Sequence, residues 1–286
     1  MSVAASPSEP AQLVAANALA GIRSRGGVAL TFKREAEGRT RLDDLHESGG
    51  FRAKFPRTHG HLEAVLINTG GGLLGGDRVA FSVSAAAGAS AQVTTQSAER
   101  VYRSLGPDCL IDITLNLAAR ARLHWLPQET ILFDAARLTR AISVNMADDA
   151  TLLMVEATVF GRAAMSETMQ SGSLRDAWRI WRGGALVYAD TIRMSANIDG
   201  ALQHAAIGNG ANAMATVLYL APDVADRLAG TRAAVETCRG RIGLSSWNDM
   251  LVGRLLANSA DALKADLGRL MTYLSGHALP RVWGLS

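Results

Sequence analysis

The chain has 286 residues, 48% of them hydrophobic but only 5% aromatic, enough to fill a large core mostly with aliphatic side chains. Its formal charge of +3 comes from scattered arginines. No basic stripe interleaves with aromatics, so nucleic acid is not an indicated partner. Cys109 and Cys238 are the only cysteines and form no C-x-x-C, which argues against a disulfide framework.

Residues 1–25 are rich in Ala and Ser and predict a loosely ordered arm. Its first 22 residues hold no Lys or Arg, so the charged start of a secretory signal is missing. No run of about 18 apolar residues is present to span a membrane. A cytoplasmic location is the simplest expectation. The remainder, 26–286, reads as a single β-rich domain.

Gly27 to Lys33 and Thr40 to Leu45 predict paired strands around a charged turn. A long connection follows, in which His59 and His61 stand two apart. On a strand that spacing puts both imidazoles on one face, where they could form a weak pair for Ni, Cu or Zn. A surface pair beside a turn is the other reading.

Leu62 to Ile67 predicts a strand ending in a loop with five glycines between Gly70 and Gly76. Gly70, Gly72 and Gly75 fit G-x-G-x-x-G, but a dinucleotide site needs a helix next. Here Val79, Phe81 and Val83 alternate with polar or small residues, which is a strand. No Gly-Lys-Ser/Thr follows either, so the loop reads as a tight turn between packed strands. A polar turn ending in Arg100, Tyr102 and Arg103 closes this stretch.

Leu110 to Leu117, Arg120 to Trp125, Ala141 to Met146, Thr151 to Phe160, Leu174 to Trp181, Ala185 to Tyr188 and Ala213 to Leu220 continue the strand signals. Pro222 to Leu228 is a short helical candidate. Ser246 and Asp249 resemble a capping box, and Trp247, Met250, Leu251 and Leu255 then fall at helical spacing, predicting a helix near 247–257. A second helix is expected over 260–275, with Leu263, Leu267, Leu270, Met271 and Leu274 on one face and Gly276 as its stop. The fold class is mainly β: a layered, largely antiparallel scaffold with a C-terminal helical pair. No repeat of 20 to 50 residues is visible.

No G-x-S-x-G or H-E-x-x-H is present. Glu129, Asp134, Glu156 and Glu167 are spaced acids that pair with Arg or water as readily as with each other. Glu156 stands out, because Thr151 to Phe160 is otherwise apolar and a carboxylate there needs a partner, such as Arg162, or a water-filled cavity.

Several segments together carry a resemblance: Gly71 to Asp77, Thr94 to Ser104, Trp125 to Phe133, Glu156 to Glu167, Trp178 to Ile180, and Leu279 to Trp283. Over roughly residues 26–284 the chain resembles the UreD (UreH) urease accessory family. The resemblance implies a β-rich scaffold without catalysis of its own. It implies partners UreF, the GTPase UreG and apo-urease in a hetero-oligomeric complex that promotes nickel insertion. Nickel would be in transit, with no cofactor tightly bound. Asp77 and Glu156 are the acids expected on its path, and Tyr102 and Arg103 are expected at a tunnel wall or interface. Ser166 stands where the family commonly has glycine. The alternative reading is a β-sheet hydrolase using paired carboxylates drawn from Asp77, Glu129 and Asp134.

Overall fold

A computed structural model describes residues 23–58, 61–162 and 165–284. The expected N-terminal arm lies outside the described residues as far as 22. The first strand, β1 (Arg25–Arg34), turns back on β2 (Thr40–Ser48), and β3 (Phe51–Lys54) pairs with β4 (Leu62–Asn68).

From β4 the chain coils between two sheets. The glycine loop crosses from β4 to β5 (Arg78–Ala85) in the opposite sheet, and a turn at Gly88 returns it to β6 (Ser90–Thr95) beside β4. After the short β7 (Glu99–Val101), β8 (Cys109–Leu117) descends next to β5, and β9 (Arg122–Trp125) and β10 (Thr130–Leu132) climb back. The third coil uses β11 (Arg137–Met146) and β12 (Thr151–Phe160), and β13 (Ser173–Arg182) begins a fourth. Each strand lies parallel to its counterpart one coil earlier. Leu62, Ser90, Arg122 and Thr151 begin successive strands of one sheet, so one coil takes about 30 residues.

Antiparallel strands finish the stack: β14 (Ala185–Ser195) on β13, β15 (Ala213–Leu220) on β12, then β16 (Arg241–Trp247) and β17 (Met250–Ala257). The result is a seven-stranded sheet facing a ten-stranded one. The mainly β, layered expectation holds, whereas the largely antiparallel pairing does not. Alternation of apolar and polar residues reports which face a side chain takes, not which way the neighbouring strand runs. The paired strands expected around the charged turn form, as β1 and β2, but the glycine loop expected to be a tight turn between packed strands is a crossing to the other sheet. The coil repeat is one of backbone path, which the side chains do not copy.

Among the described residues three α-helices accompany the sheets: α1 (Ile198–Gln203), α2 (Val224–Val235) and α3 (Ala260–Ser275). α3 starts where expected: the Ser259 hydroxyl accepts the Ala262 N–H at 3.1 Å. It stops at Gly276, whose φ of 66° is left-handed. The helix expected near 247–257 is instead the β16–β17 hairpin. Asn248 and Asp249 have φ of 49° and 55°, the pair of positive angles that a two-residue hairpin turn requires. β17 is covered on both faces, so its apolar residues run together and mimic a helical stripe. The C-terminal helical pair therefore consists of α2 and α3, which pack together. No helix of the described residues is long and apolar enough to cross a membrane.

Two cores result. Leu30, Phe32, Leu115 and Val144 meet Val93, Leu123 and Leu152 between the sheets. Leu126, Leu153, Val155, Val217 and Leu251, on the outer face of the ten-stranded sheet, meet Leu263, Leu267, Leu270 and Leu274 of α3. The C-terminal segment closes this second layer: Trp283 is buried, and its Nε1 donates to the Leu126 carbonyl at 3.0 Å. Leu270 is fully buried, so Leu270→Ala should cost about 2–5 kcal/mol in urea unfolding.

Candidate functional site

Between the sheets the apolar packing is broken by a buried cluster of charges. Arg140, on the inward face of β11, is 2% exposed. Its Nη2 donates to Asp176 Oδ2 at 2.6 Å and its Nε to Asp176 Oδ1 at 3.1 Å, the cross-strand neighbour on β13. Its Nη1 reaches across the layer and donates to Glu156 Oε2 on β12. The indoles complete the set: Trp125 Nε1 donates to Glu156 Oε1 at 2.9 Å, and Trp178 Nε1 to Asp176 Oδ1 at 3.0 Å. Burial works against the Arg140 charge, but Asp176 and Glu156 outweigh it and hold the guanidinium protonated. Burial pushes the Glu156 carboxyl above its ordinary range, Arg140 opposes that, and Asp176 adds to it.

The polar residues extend in both directions. Arg140 Nη1 also donates to Thr130 at 3.4 Å, and Thr130 is the cross-strand neighbour of Glu99 on one side and Thr158 on the other. Asn68 Nδ2 donates to both Glu99 oxygens, at 3.0 and 3.1 Å. A small cavity of about 60 Å³ beside the glycine loop is lined by Asn68, Gly72, Thr95 and Glu99. Glu99 is pushed up to about 6 by burial, against the Asn68 bond and the Arg100 charge.

On the opposite side Glu156 neighbours Thr216, which neighbours Arg254. Arg254 donates to Thr216, to Asp190 Oδ2 and, at 3.2 Å, to the Tyr188 hydroxyl. Tyr188, Asp190 and Arg254 line an opening of about 530 Å³ between β14 and β17, with Trp247 at its rim. A seam of polar side chains thus crosses the interior from the glycine loop to this opening.

The residues singled out in the sequence fall in different places. Glu156 is in the middle of the seam, and its ion-pair partner is Arg140, not Arg162. Arg162 follows the turn at Gly161, pairs with Glu167 and lies over the Phe133 ring at 4.3 Å. Asp77 is buried with its oxygens on backbone amides, Oδ1 accepting from Ser24 and Oδ2 from Leu74, both at 2.8 Å. It pins the glycine loop close to Cys109, whose thiol is pushed up to about 12 by burial together with Asp77, Glu99 and Asp108.

Tyr102 donates its hydroxyl to the Gly71 carbonyl at 3.0 Å and packs edge-on to Phe133. Its ring lies over Gly72, where a Cβ would come within 2.4 Å of Cε2, so the loop needs glycine there. Arg103 is exposed and bridges Ala136 through its backbone. Ser166 has φ of 52°, the left-handed geometry that glycine adopts freely.

His59 lies outside the described residues. His61 stacks on His277 with ring centroids 5.9 Å apart, on the outer face of the ten-stranded sheet and away from the seam. Among the described residues no three His, Cys, Asp or Glu side chains are placed to hold a metal ion. For the hydrolase alternative, Asp134 accepts the amides of Gln170 and Ser171, so it and Asp77 both serve the backbone. Arg140, Asp176, Glu99 and Arg254 were not anticipated. A signal existed for the first two: each interrupts an inward-facing apolar alternation, in Leu138, Arg140, Ile142 and in Leu174, Asp176, Trp178.

A family model described as UreD urease accessory protein matches residues 24–284. "Urease accessory protein UreD" of Methylobacterium sp. (strain 4-46) is 47% identical over 267 residues, covering 91% of this chain and 95% of that protein. Proteins of the same name from Azorhizobium caulinodans and Rhodopseudomonas palustris (strain BisA53) are 44% and 45% identical, covering 87% and 91% of this chain and 92% and 91% of their own lengths.

The charge cluster makes two measurable demands. Arg140→Met strands two buried carboxylates and should cost about 3–5 kcal/mol in urea unfolding at pH 8. The deficit should shrink as pH is lowered to 5, because burial already pushes the Glu156 carboxyl upward and the variant removes the Arg140 charge that opposes this. Glu99, raised from 4.5 to about 6, binds its proton more tightly when folded, so its contribution is fully present below 4.5 and lost as pH rises through 6. Glu99→Gln should therefore add up to about 2 kcal/mol of stability at pH 7.5 and nothing at pH 4.

Proposed function

The chain belongs to the UreD urease accessory protein family, and on that premise we propose that it works with UreF and the GTPase UreG on apo-urease, giving nickel a guarded route to the active site. The observation that carries this reading is the polar seam between the sheets. Nickel is cargo here, so its route should offer oxygen donors that are sparse and easily left.

Glu99 suits the glycine-loop end. It is held by an amide rather than paired with a cation, and leaves lone pairs for a passing ion. Glu156 suits the middle. Two carboxylates share one guanidinium, so the cluster offers a cation oxygen donors while Arg140 prevents tight capture. Asp77 acts on the route by fixing the loop and adding negative charge near Glu99, while Tyr102 and Arg103 shape the wall and docking rim there. Next to them a groove of about 580 Å³, lined by Tyr102, Phe133, Phe160, exposed Met165 and the start of α3, is the surface offered to UreF. In this reading the protein acts in the cytoplasm, inside a hetero-oligomeric complex.

The test is co-expression with urease and the other accessory proteins, measuring urease activity at limiting and excess nickel alongside co-purification. Glu99→Gln and Glu156→Gln should bind partners normally yet lower activation several-fold at limiting nickel, with recovery in excess. Glu99→Gln is the more telling variant because it is expected to be more stable than the parent, so misfolding cannot mimic the loss. Full activation by both variants at limiting nickel would remove the seam from the route.

A further inference from the structure

A second polar site lies on the outer face of the ten-stranded sheet, independent of the seam. A cleft of about 400 Å³ opens between the starts of β9 and β12 and the adjoining ends of α2 and α3, lined by Arg120, Arg122, His124, Thr151, Asp223 and Arg227 among others. Arg122 and His124 are two apart on β9 and share its outer face, and Thr151 is the cross-strand neighbour of Arg122.

The acids around this cleft are already engaged. Asp223 accepts from the Tyr219 hydroxyl at 2.8 Å and from Arg227, and Asp149 accepts the Arg120 backbone N–H at 2.9 Å. The side chains of Arg120 and Arg122 have no hydrogen-bond or ion-pair partner among the described residues, and neither does the His124 ring, although His124 is only 5% exposed. Burial, reinforced by Arg122, His277 and His61, pushes His124 down to about 3, so it stays neutral and presents one N–H donor.

The sign of the field decides the kind of ligand. His61, His124 and His277 lie near one another here without the geometry of a metal site, and Arg122 and Arg227 make their surroundings positive, which opposes a divalent cation. The buried acid Glu63 lies two strands from His124 in the same row, beyond Gln92, and is faced by Arg281. Two guanidiniums without a partner, an imidazole N–H and a hydroxyl share this concave surface, while Asp223 is held by Tyr219 and Arg227 and Asp149 by the Arg120 backbone, which leaves the cleft richer in free donors than in acceptors.

We propose that this cleft binds a small tetrahedral oxyanion of the phosphate class between Arg122, His124 and Thr151, with Arg120 at the rim. The probe is inorganic phosphate, titrated into the full chain, alone or in its complex, with sodium chloride holding ionic strength constant. Binding is read by equilibrium dialysis and by the shift in Tm. The parent should show saturable binding, and Arg122→Gln should weaken it at least tenfold with an unchanged circular dichroism spectrum. His124→Gln tests the buried donor in the same way, and Arg122→Lys should recover part of the affinity. No saturable uptake by the parent, or equal uptake by Arg122→Gln, would overturn the assignment.

Discussion

The guanidinium of Arg140 fastens the two sheets to each other. Away from this cluster and the Arg254–Asp190 link at the edge, the layer between them is mostly apolar and non-directional, and contributes little to holding one sheet in register with the other. Arg140 belongs to one sheet, Glu156 to the other, and the planar fork accepts only one relative placement of Asp176 and Glu156. Trp125 and Trp178 add a bond each and shield the charges with their rings. Burying three charges is a poor way to raise stability, since desolvation consumes most of the attraction. What the arrangement secures is register between layers, and with it the alignment of Thr130, Thr216, Arg254 and Glu99 into one seam.

That constraint accounts for what the sequence could and could not disclose. Glu156 was recognisable because a carboxylate among Leu152, Val155 and Val159 has to be compensated. Its partner was not, because Arg140 sits 16 residues upstream on another strand, and proximity in sequence favoured Arg162. α3 was legible in full, since its stripe, its serine cap and its glycine stop are local features. The β16–β17 hairpin was misread for the same reason: Ser246 and Asp249 make a local pattern that a helix start and a tight turn both satisfy, and only pairing with β15 decides between them.

Strand direction was out of reach for a different reason. The parallel coil is specified by which earlier strand each new one joins, a choice made by the space left between existing layers. The glycine loop illustrates the division. Its composition announces a turn, but the demand for glycine at position 72 comes from the Tyr102 ring pressing on it from a later segment. Family membership now places the accessory role on firmer ground than motif spacing could, while the seam and the outer cleft come from the three-dimensional arrangement.

The reach of Trp283 back to the Leu126 carbonyl spans 157 residues of chain. Coils stacked one upon the last can assemble in order as a polypeptide leaves the ribosome, each new turn finding its bed already made. The α3 layer cannot. Until α3 and Trp283 have been made, the outer side of the larger sheet stays uncovered, greasy and available to other surfaces. The apolar face that the rest of the chain prepares is therefore the last to be sheltered, and its exposure ends only when the final helix folds down onto it.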